Sequence, residues 1–540
     1  MPQRSLLRIA AVVGTLIVSM QNPTRGQNPE QDGQWSAPFN LPLIAIHSAL
    51  LPSGKVLMFS AEHGVPGIHG WLLDPASIPG TPVLTNVPPP ASWNPDCAGH
   101  SFLPDGRLLV AGGTLGFNPT RGPKLAYVFE PFTQQWTRVE DMRKGRWYPT
   151  NITLPDGRVI TLSGLNDTNG AINPDVELWS SSGSNNWELL GQKTVPPYPY
   201  LQVLPSGLVF RSGPDRQTET FNPASAIWTP VGPTNALSRL EAPSLLLPPT
   251  LNRVMVIGGF TGGSALPTNS AEIIDFSATT PTWTITAHMA FRRMEFNAVV
   301  LPSATVLAIG GKSSADGTTD VPVLIPEIFD PANSTWDQMA THQIPRMYHS
   351  TALLLPDARV LAAGGDYQPT GEIYSPPYLF QGVRPAITSA PTWIAYGSNF
   401  ELAFTSSTGT NRVVLIALSA VTHSVNMSQR YVLLAQGVAA GSPVNVPAPA
   451  SGNFAPPGYY MLFVVNGNGV PSISQIVKVG QRIPGDMNCD GNVNTSDQAL
   501  FISALLDPNG FSGCDLLNAD INGDALIDGR DIPGFVAGLL

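Results

Sequence analysis

One pattern recurs seven times and restricts the architecture more than any other feature of the chain. It is Leu-Pro, a small polar turn, then an apolar strand usually closed by glycine. It reads LPSGKVLMFS at Pro52, LPDGRLLVAGG at Pro104, LPDGRVITLSG at Pro155 and LPSGLVFRSG at Pro205. It continues as LPPTLNRVMVIGG at Pro248, LPSATVLAIGG at Pro302 and LPDARVLAAGG at Pro356. Successive prolines lie 52, 51, 50, 43, 54 and 54 residues apart. Each unit is too short to enclose a core, so neighbours must stack to bury their apolar faces. With 54 prolines, 51 glycines and only 12% charged residues, the chain favours short strands and turns over long helices.

A period near fifty residues is that of a kelch-type blade of four strands. Five units also carry a tryptophan late in the repeat: Trp136, Trp187, Trp228, Trp283 and Trp336. The fold class expected is mainly β, with a seven-bladed kelch-type β-propeller over 28–382; a solenoid of the same units is the alternative. In a propeller the first strand of each blade lines the central channel. Seven residues before each repeat proline stand Ala45, Cys97, Tyr148, Tyr198, Glu241, Glu295 and His349. Six of these seven are thiol, phenol, carboxylate or imidazole, where a purely structural strand start favours small or apolar residues. Superposed repeats would bring them into one ring at the channel mouth; chance combined with hydrogen bonding between blades is the plainer explanation. The longer turn at Pro248 could shift the fifth member out of register.

Imidazole and phenol oxygen together suit Cu(II), which prefers nitrogen and oxygen ligands in tetragonal geometry. Tyr348 lies next to His349, and adjacent side chains on a regular strand face opposite ways. Both reach one metal only where the strand is irregular. A second imidazole is offered by His423 in ALSAVTHSVNMSQR, although a lone histidine is more often an ordinary hydrogen-bonded residue.

Five segments carry a resemblance: DCAGHSFLPDGRLLVAGG, GRWYPTNITLPDGRV, RMYHSTALLLPDARV, YSPPYLF and THSVNMSQR. In their order over residues 35–480 they resemble the copper-radical oxidases, the galactose oxidase and glyoxal oxidase family, with wording nearer glyoxal oxidase. The resemblance implies one copper ion and a Cys-Tyr radical cofactor. Cys97 would be joined by a thioether to the ring of Tyr148, the radical site and a copper ligand. His349 and His423 would be the nitrogen ligands and Tyr348 the axial ligand and base. It implies oxidation of small aldehydes, as hydrates, or of primary alcohols or carbohydrates by O2, releasing H2O2. A lone cysteine far from other thiols is thereby accounted for. The pattern departs from the family at the tryptophan that stacks over the cross-link in galactose oxidase, which aligns with Asn166; Trp147 is a possible substitute. Tyr198, Glu241 and Glu295 are candidate channel-lining groups for substrate, or structural.

Residues 383–480 read as apolar strands broken by Gly, Pro, Ser and Asn, an immunoglobulin-like β-sandwich; the family places a loop of this domain on the propeller axis to deliver its second histidine. After a linker at 481–485, residues 486–540 hold nine Asp, no Glu and one Arg, a net −8 of the chain's −10. DMNCDGNVNTSD and DINGDALIDGRD match calcium loops of the EF-hand kind. Two calcium ions would be held by Asp486, Asn488, Asp490, Asn492 and Asp497, and by Asp520, Asn522, Asp524, Leu526, Asp528 and Asp531. Tandem loops closed by Asp, each followed by an apolar helix, resemble a dockerin, which implies a small α-helical domain and a cohesin-like protein partner. Cys489 and Cys514 lie 25 residues apart within it; a disulfide is expected in an exported protein, two free thiols being the alternative.

Export is read from residues 1–27, where two arginines precede an apolar run from Ile9 to Met20, short for a membrane span and suited to a signal peptide. A buried first strand or an anchor would use the same run. A secreted or cell-surface location follows, with no other segment able to span a membrane. No basic patch invites nucleic acid. The competing function is a non-catalytic propeller that binds carbohydrate or protein and is attached through the calcium module.

Overall fold

The computed structural model describes residues 28–61, 66–180, 187–261, 266–314, 320–488, 491–511, 516–524 and 526–539. The signal-peptide segment 1–27, Cys489, Asp490 and Cys514 lie outside the described residues.

The first six repeats each build an antiparallel sheet of four strands, and the seventh supplies three strands of its own sheet. In the second, Ala98–Phe102 pairs with Leu108–Gly112, which pairs with Ala126–Glu130, which pairs with Gln135–Arg138. The Leu-Pro signature is the hairpin between the first two strands. Leu103 N–H donates to Arg107 O at 2.8 Å, and Gly106 N–H to Leu103 O at 2.9 Å. Proline sets the first corner and the fourth residue turns left-handed, which glycine does without steric cost. The glycine that ends the second strand has another cause. A Cβ on Gly112 would lie 2.3 Å from Arg146 O, and one on Gly310 would lie 2.2 Å from Arg346 O, because the backbone leading into the next sheet passes there.

The sheets close into a ring. The seventh takes its outermost strand from the other end of the chain: Gln34–Trp35 pairs with Thr370–Ser375 in the register Trp35↔Tyr374. Its innermost strand, Ser350–Leu354, contacts His47–Leu50 of the first sheet. The late tryptophans lock neighbours together. Trp136 Nε1 donates to Val87 O at 2.9 Å, Trp187 Nε1 to Glu140 O at 2.8 Å and Trp336 Nε1 to Ala287 O at 2.9 Å, each reaching back about one repeat.

Residues beyond the ring form a three-stranded sheet (Ala386–Ser389, Asn399–Thr405, Gly441–Pro447) and a five-stranded sheet (Trp393–Ala395, Gln475–Gly480, Gly458–Asn466, Asn411–Ala417, Tyr431–Val438). Phe400, Leu402, Val413, Leu415, Leu462 and Val477 fill the space between them. One segment leaves this sandwich. Ala420–Thr422 adds to the innermost strand of the first propeller sheet, with Thr422 opposite His47 and Ala420 opposite Ala49. Burying His423 near the axis follows from that strand addition. The C-terminal unit holds two short helices, Gln498–Leu506 and Ile532–Gly538, packed through Phe501 and Phe535 with ring centroids 4.0 Å apart. Among the described residues no helix is long and apolar enough to cross a membrane.

Candidate active site

The seven positions before the inner strands fall at one end of the ring, and six share a conformation that the sequence did not disclose. Cys97, Tyr148, Tyr198, Glu241, Glu295 and His349 have φ of 67°, 64°, 49°, 54°, 56° and 64°. All are left-handed, a region that residues other than Gly, Asn and Asp rarely occupy. Backbone hydrogen bonds link them around the mouth: Tyr148 N–H to Cys97 O at 2.9 Å, Tyr198 N–H to Tyr148 O at 2.8 Å and Glu295 N–H to Glu241 O at 2.9 Å. The longer fifth turn does not displace Glu241, because its additional residues lie beyond the strands, where Leu247 N–H bonds Arg253 O.

The left-handed turn explains how neighbours in sequence converge. Tyr348 and His349 have ring centroids only 3.9 Å apart, and Trp147 and Tyr148 stack at 3.5 Å and 7°. On an extended strand each pair would point to opposite faces. Trp147 thus covers the Tyr148 ring, and Tyr198 also stacks on it at 4.3 Å. Asn166 instead shapes a turn, its Oδ1 accepting from the N–H groups of Thr168 and Asn169 at 2.9 Å.

Four of the six ring residues are anchored from behind. Arg146, Arg239, Arg293 and Arg346 stand two or three residues before a ring position and pair with Glu177, Glu272, Glu327 and Glu372 on the third strand of the same sheet, at 2.6, 2.8, 2.5 and 2.8 Å. All eight side chains are buried. Their repetition, in GRWY, SRLE, RRME and PRMYH, was a signal available in the sequence.

Four rings and a thiol meet at the mouth. His423 has ring centroids 4.8 Å from Tyr148, 5.3 Å from Tyr348 and 4.9 Å from His349. The Tyr148 and Tyr348 hydroxyls are in direct hydrogen-bond contact. Cys97 Sγ lies 4.0 Å from His423 Nε2 and interacts with Thr114, Tyr148 and Trp147. His349 Nδ1 bonds Asp366 Oδ1 at 2.9 Å, and His423 Nδ1 meets Thr422 Oγ1 at 2.6 Å. Both contacts engage Nδ1, so each imidazole would present Nε2 to a metal, with the orientation fixed by a neighbour as is usual for ligating histidines. Asp366 and Thr422 were not singled out from the sequence; Asp366 follows the Gly-Gly of the seventh repeat.

Burial above all pushes the phenols of Tyr148, Tyr198 and Tyr348 and the thiol of Cys97 upward, with like-charge neighbours adding to it. Alone, these groups stay neutral. Two imidazoles and two touching phenol oxygens, buried with no cationic side chain among them, fit a divalent cation that would stabilise phenolate. They fit copper better than calcium or magnesium, which prefer carboxylate and carbonyl oxygen. A cavity of about 200 Å³ opens over this group, lined also by Tyr198, Glu241 and Glu295.

In the C-terminal unit, Asp497 accepts from the N–H groups of Met487 and Asn488 at 2.8 and 3.0 Å, and Asp531 from those of Ile521 and Asn522 at 2.8 and 3.2 Å. The closing Asp is held the same way in both loops, whereas the contacts of the first Asp differ. Asp486 accepts from Gly491 N–H at 2.9 Å, and Asp520 from Gly523 N–H at 2.9 Å. Asp524 accepts from Leu526 N–H, Asn488 bonds Ser496, and Asp528 pairs with Arg530. Among the described residues no three His, Cys, Asp or Glu side chains converge on a single point.

Comparison with known proteins agrees with this picture. Residues 253–378 match the glyoxal oxidase N-terminus, 384–479 the galactose oxidase-like early set domain and 484–533 the dockerin type I domain. The chain is 27% identical over 496 residues to a galactose oxidase of Gibberella zeae, covering 83% of this chain and 71% of that one. It is 30% identical over 438 residues to the aldehyde oxidase GLOX of Vitis pseudoreticulata, covering 71% of this chain and 81% of the relative. A solved structure described as a novel fungal alcohol oxidase of the AA5 family in complex with copper superposes with a TM-score of 0.73 at 26% identity, covering 83% of this chain and all of that one. The chain belongs to the galactose oxidase and glyoxal oxidase family of copper-radical oxidases, and carries a dockerin type I domain behind the early set domain.

Proposed function

We propose that the chain is an exported oxidase that converts small aldehydes, as their hydrates, or primary alcohols with dioxygen, releasing hydrogen peroxide. The observation that carries this reading is the meeting of Cys97, Tyr148, Tyr348, His349 and His423 beneath one cavity, supplied by three propeller sheets and the strand from the sandwich. A binding propeller has no need of that set.

His349, His423, Tyr148 and Tyr348 would hold copper. Bound there, copper would polarise a substrate oxygen and supply the one-electron redox chemistry that a side chain lacks. The chain's own residues do the rest. Cys97 and Tyr148 join when the thiol sulfur bonds to the ring carbon beside the hydroxyl. The sulfur and the carbon each lose a hydrogen, and dioxygen takes both with their electrons to become peroxide. The thioether makes the Tyr148 ring easier to oxidise, and Trp147 and Tyr198 shield it from water. Tyr348 Oη would accept the substrate's hydroxyl proton and the oxidised Tyr148 a hydrogen atom from the substrate carbon; the remaining electron would be taken up by the one-electron chemistry that bound copper supplies, and dioxygen would then remove both electrons and both protons as hydrogen peroxide, leaving Tyr148 oxidised again. Asp366 and Thr422 hold the imidazoles in place.

The two C-terminal loops would bind calcium through Asp486, Asn488, Asp490, Asn492 and Asp497, and through Asp520, Asn522, Asp524, Leu526 and Asp531. The unit would tether the oxidase to a cohesin-like partner, braced by a Cys489–Cys514 disulfide, after removal of residues 1–27. The test is peroxide release from copper-loaded protein supplied with glycolaldehyde, simple aldehydes, primary alcohols and sugars. Peroxide formed in step with substrate loss, and abolished in Tyr148→Phe, supports the reading. Protein that binds copper yet releases none with any of these would end it.

A further inference from the structure

Of the six left-handed mouth residues, Cys97 and Tyr198 have no buried Arg–Glu pair behind them. Cys97 also lacks a left-handed predecessor, because Ala45, at the equivalent position of the first sheet, does not share that conformation. Where mouth residues follow one another, the N–H of one bonds the carbonyl of the one before: Tyr148 to Cys97, Tyr198 to Tyr148 and Glu295 to Glu241. The Ala45 carbonyl instead accepts from Thr351 Oγ1 at 3.2 Å. The Cys97 N–H turns to a side chain and donates to His47 Nε2 at 3.2 Å.

His47 is fully buried and its plane is fixed. It stacks on Phe59 at 4.6 Å and 6°, and the His100 ring lies 5.3 Å away at 71°. An imidazole that accepts at Nε2 is neutral and carries its proton on Nδ1. The residue before Cys97 is held by the same sheet, Asp96 Oδ1 accepting from Ala61 N–H at 2.7 Å. The first sheet, through His47–Leu50 and Val56–Ala61, thus grips the chain at Asp96 and again at the Cys97 N–H. Beyond that grip the thiol meets Thr114, Tyr148 and Trp147. Without the acceptor, a buried N–H would stand unpaired on a strained residue. The left-handed backbone that aims the sulfur at Tyr148 would then relax.

Resting on the thioether reading above, we infer that His47 is a positioning residue for cofactor maturation: its imidazole stands in for the missing ring carbonyl, holds Cys97 left-handed and sets the sulfur against the Tyr148 ring before the bond between them forms. The bond-forming step is the one already written, and His47 takes no proton or electron in it. His47 is not among the candidate copper ligands, so its effect falls on the thioether and not on the metal.

The test follows thioether formation in the full chain, metal-free and reduced, after copper and air are added, by peptide mass spectrometry against time. His47→Leu removes the acceptor and should slow cross-linking by about tenfold to a hundredfold. His47→Gln, whose Oε1 reaches the place of Nε2, should restore most of the rate. Copper affinity, read by metal competition, should match wild type in both. Where leucine prevents folding, His47→Asn, polar but too short to reach the Cys97 N–H, should be slowed in the same way. Cross-linking at the wild-type rate without the acceptor, or a glutamine variant as slow as the leucine one, would overturn the inference. Amide hydrogen exchange in the metal-free protein separates it from the oxidase reading. The Cys97 N–H should exchange about tenfold faster in His47→Leu than in wild type or His47→Gln. That result upholds the hold on Cys97 even if no thioether forms; equal exchange rejects it even where cross-linking and oxidation proceed.

Discussion

The two ends of the inner hairpins share a backbone conformation and differ in what they place on it. At the Leu-Pro turns the left-handed residue is Gly54, Gly106, Gly157, Gly207, Ala304 or Ala358, with φ between 67° and 90°. At the mouth it is Cys97, Tyr148, Tyr198, Glu241, Glu295 or His349. At the turn only the conformation is needed, so the smallest residues serve. At the mouth a side chain is needed as well, and the chain accepts backbone strain to obtain it. Such strain persists only where the surroundings enforce it; the mouth has four buried Arg–Glu pairs behind it, whereas the turns carry only partly exposed Arg–Asp pairs such as Arg107–Asp105, Arg158–Asp156 and Arg359–Asp357. The left-handed backbone is what turns Tyr348 and His349, or Trp147 and Tyr148, toward the same point.

The largest effect that sharpens this contrast is a substitution that relaxes the backbone and removes the chemistry. His349→Gly should lower peroxide production by at least about a thousandfold while leaving the melting temperature unchanged or raised. A large fall in melting temperature would show that the mouth residues serve the fold instead. Next come the anchors. Arg146→Leu leaves Glu177 buried without its partner, and denaturant unfolding should show a loss of about 3–5 kcal/mol. A loss below about 1 kcal/mol would mean that the mouth is held by other contacts. Asp366→Asn should weaken copper binding by about 10–100-fold with stability preserved, read by metal competition. The smallest effects belong to the turns. Ala358→Gly should add about 0.5–1 kcal/mol by relieving the left-handed alanine and leave oxidation rates as they are.

The repeat spacing, the ring positions and the calcium-loop spacing were legible in the sequence because each rests on side-chain identity at a fixed offset. The backbone conformation of the ring was not, since no glycine marks it; large residues occupy positions where glycine would normally announce a left-handed turn. The same gap left the convergence of Tyr348 and His349 unexplained and left open how Trp147 could cover Tyr148. His423 could not be placed from its own surroundings, because its position depends on Ala420–Thr422 pairing with a strand more than 370 residues earlier in the chain. The role of the late tryptophans likewise needed the neighbouring sheet to be seen.

The measurement that bears most directly on the site is peptide mass spectrometry of copper-treated, aerated protein. The account expects the Cys97 and Tyr148 peptides to run as one species, lighter than their sum by about two hydrogens, and to separate in Cys97→Ser. Separate, unmodified peptides from protein shown to hold copper would contradict it.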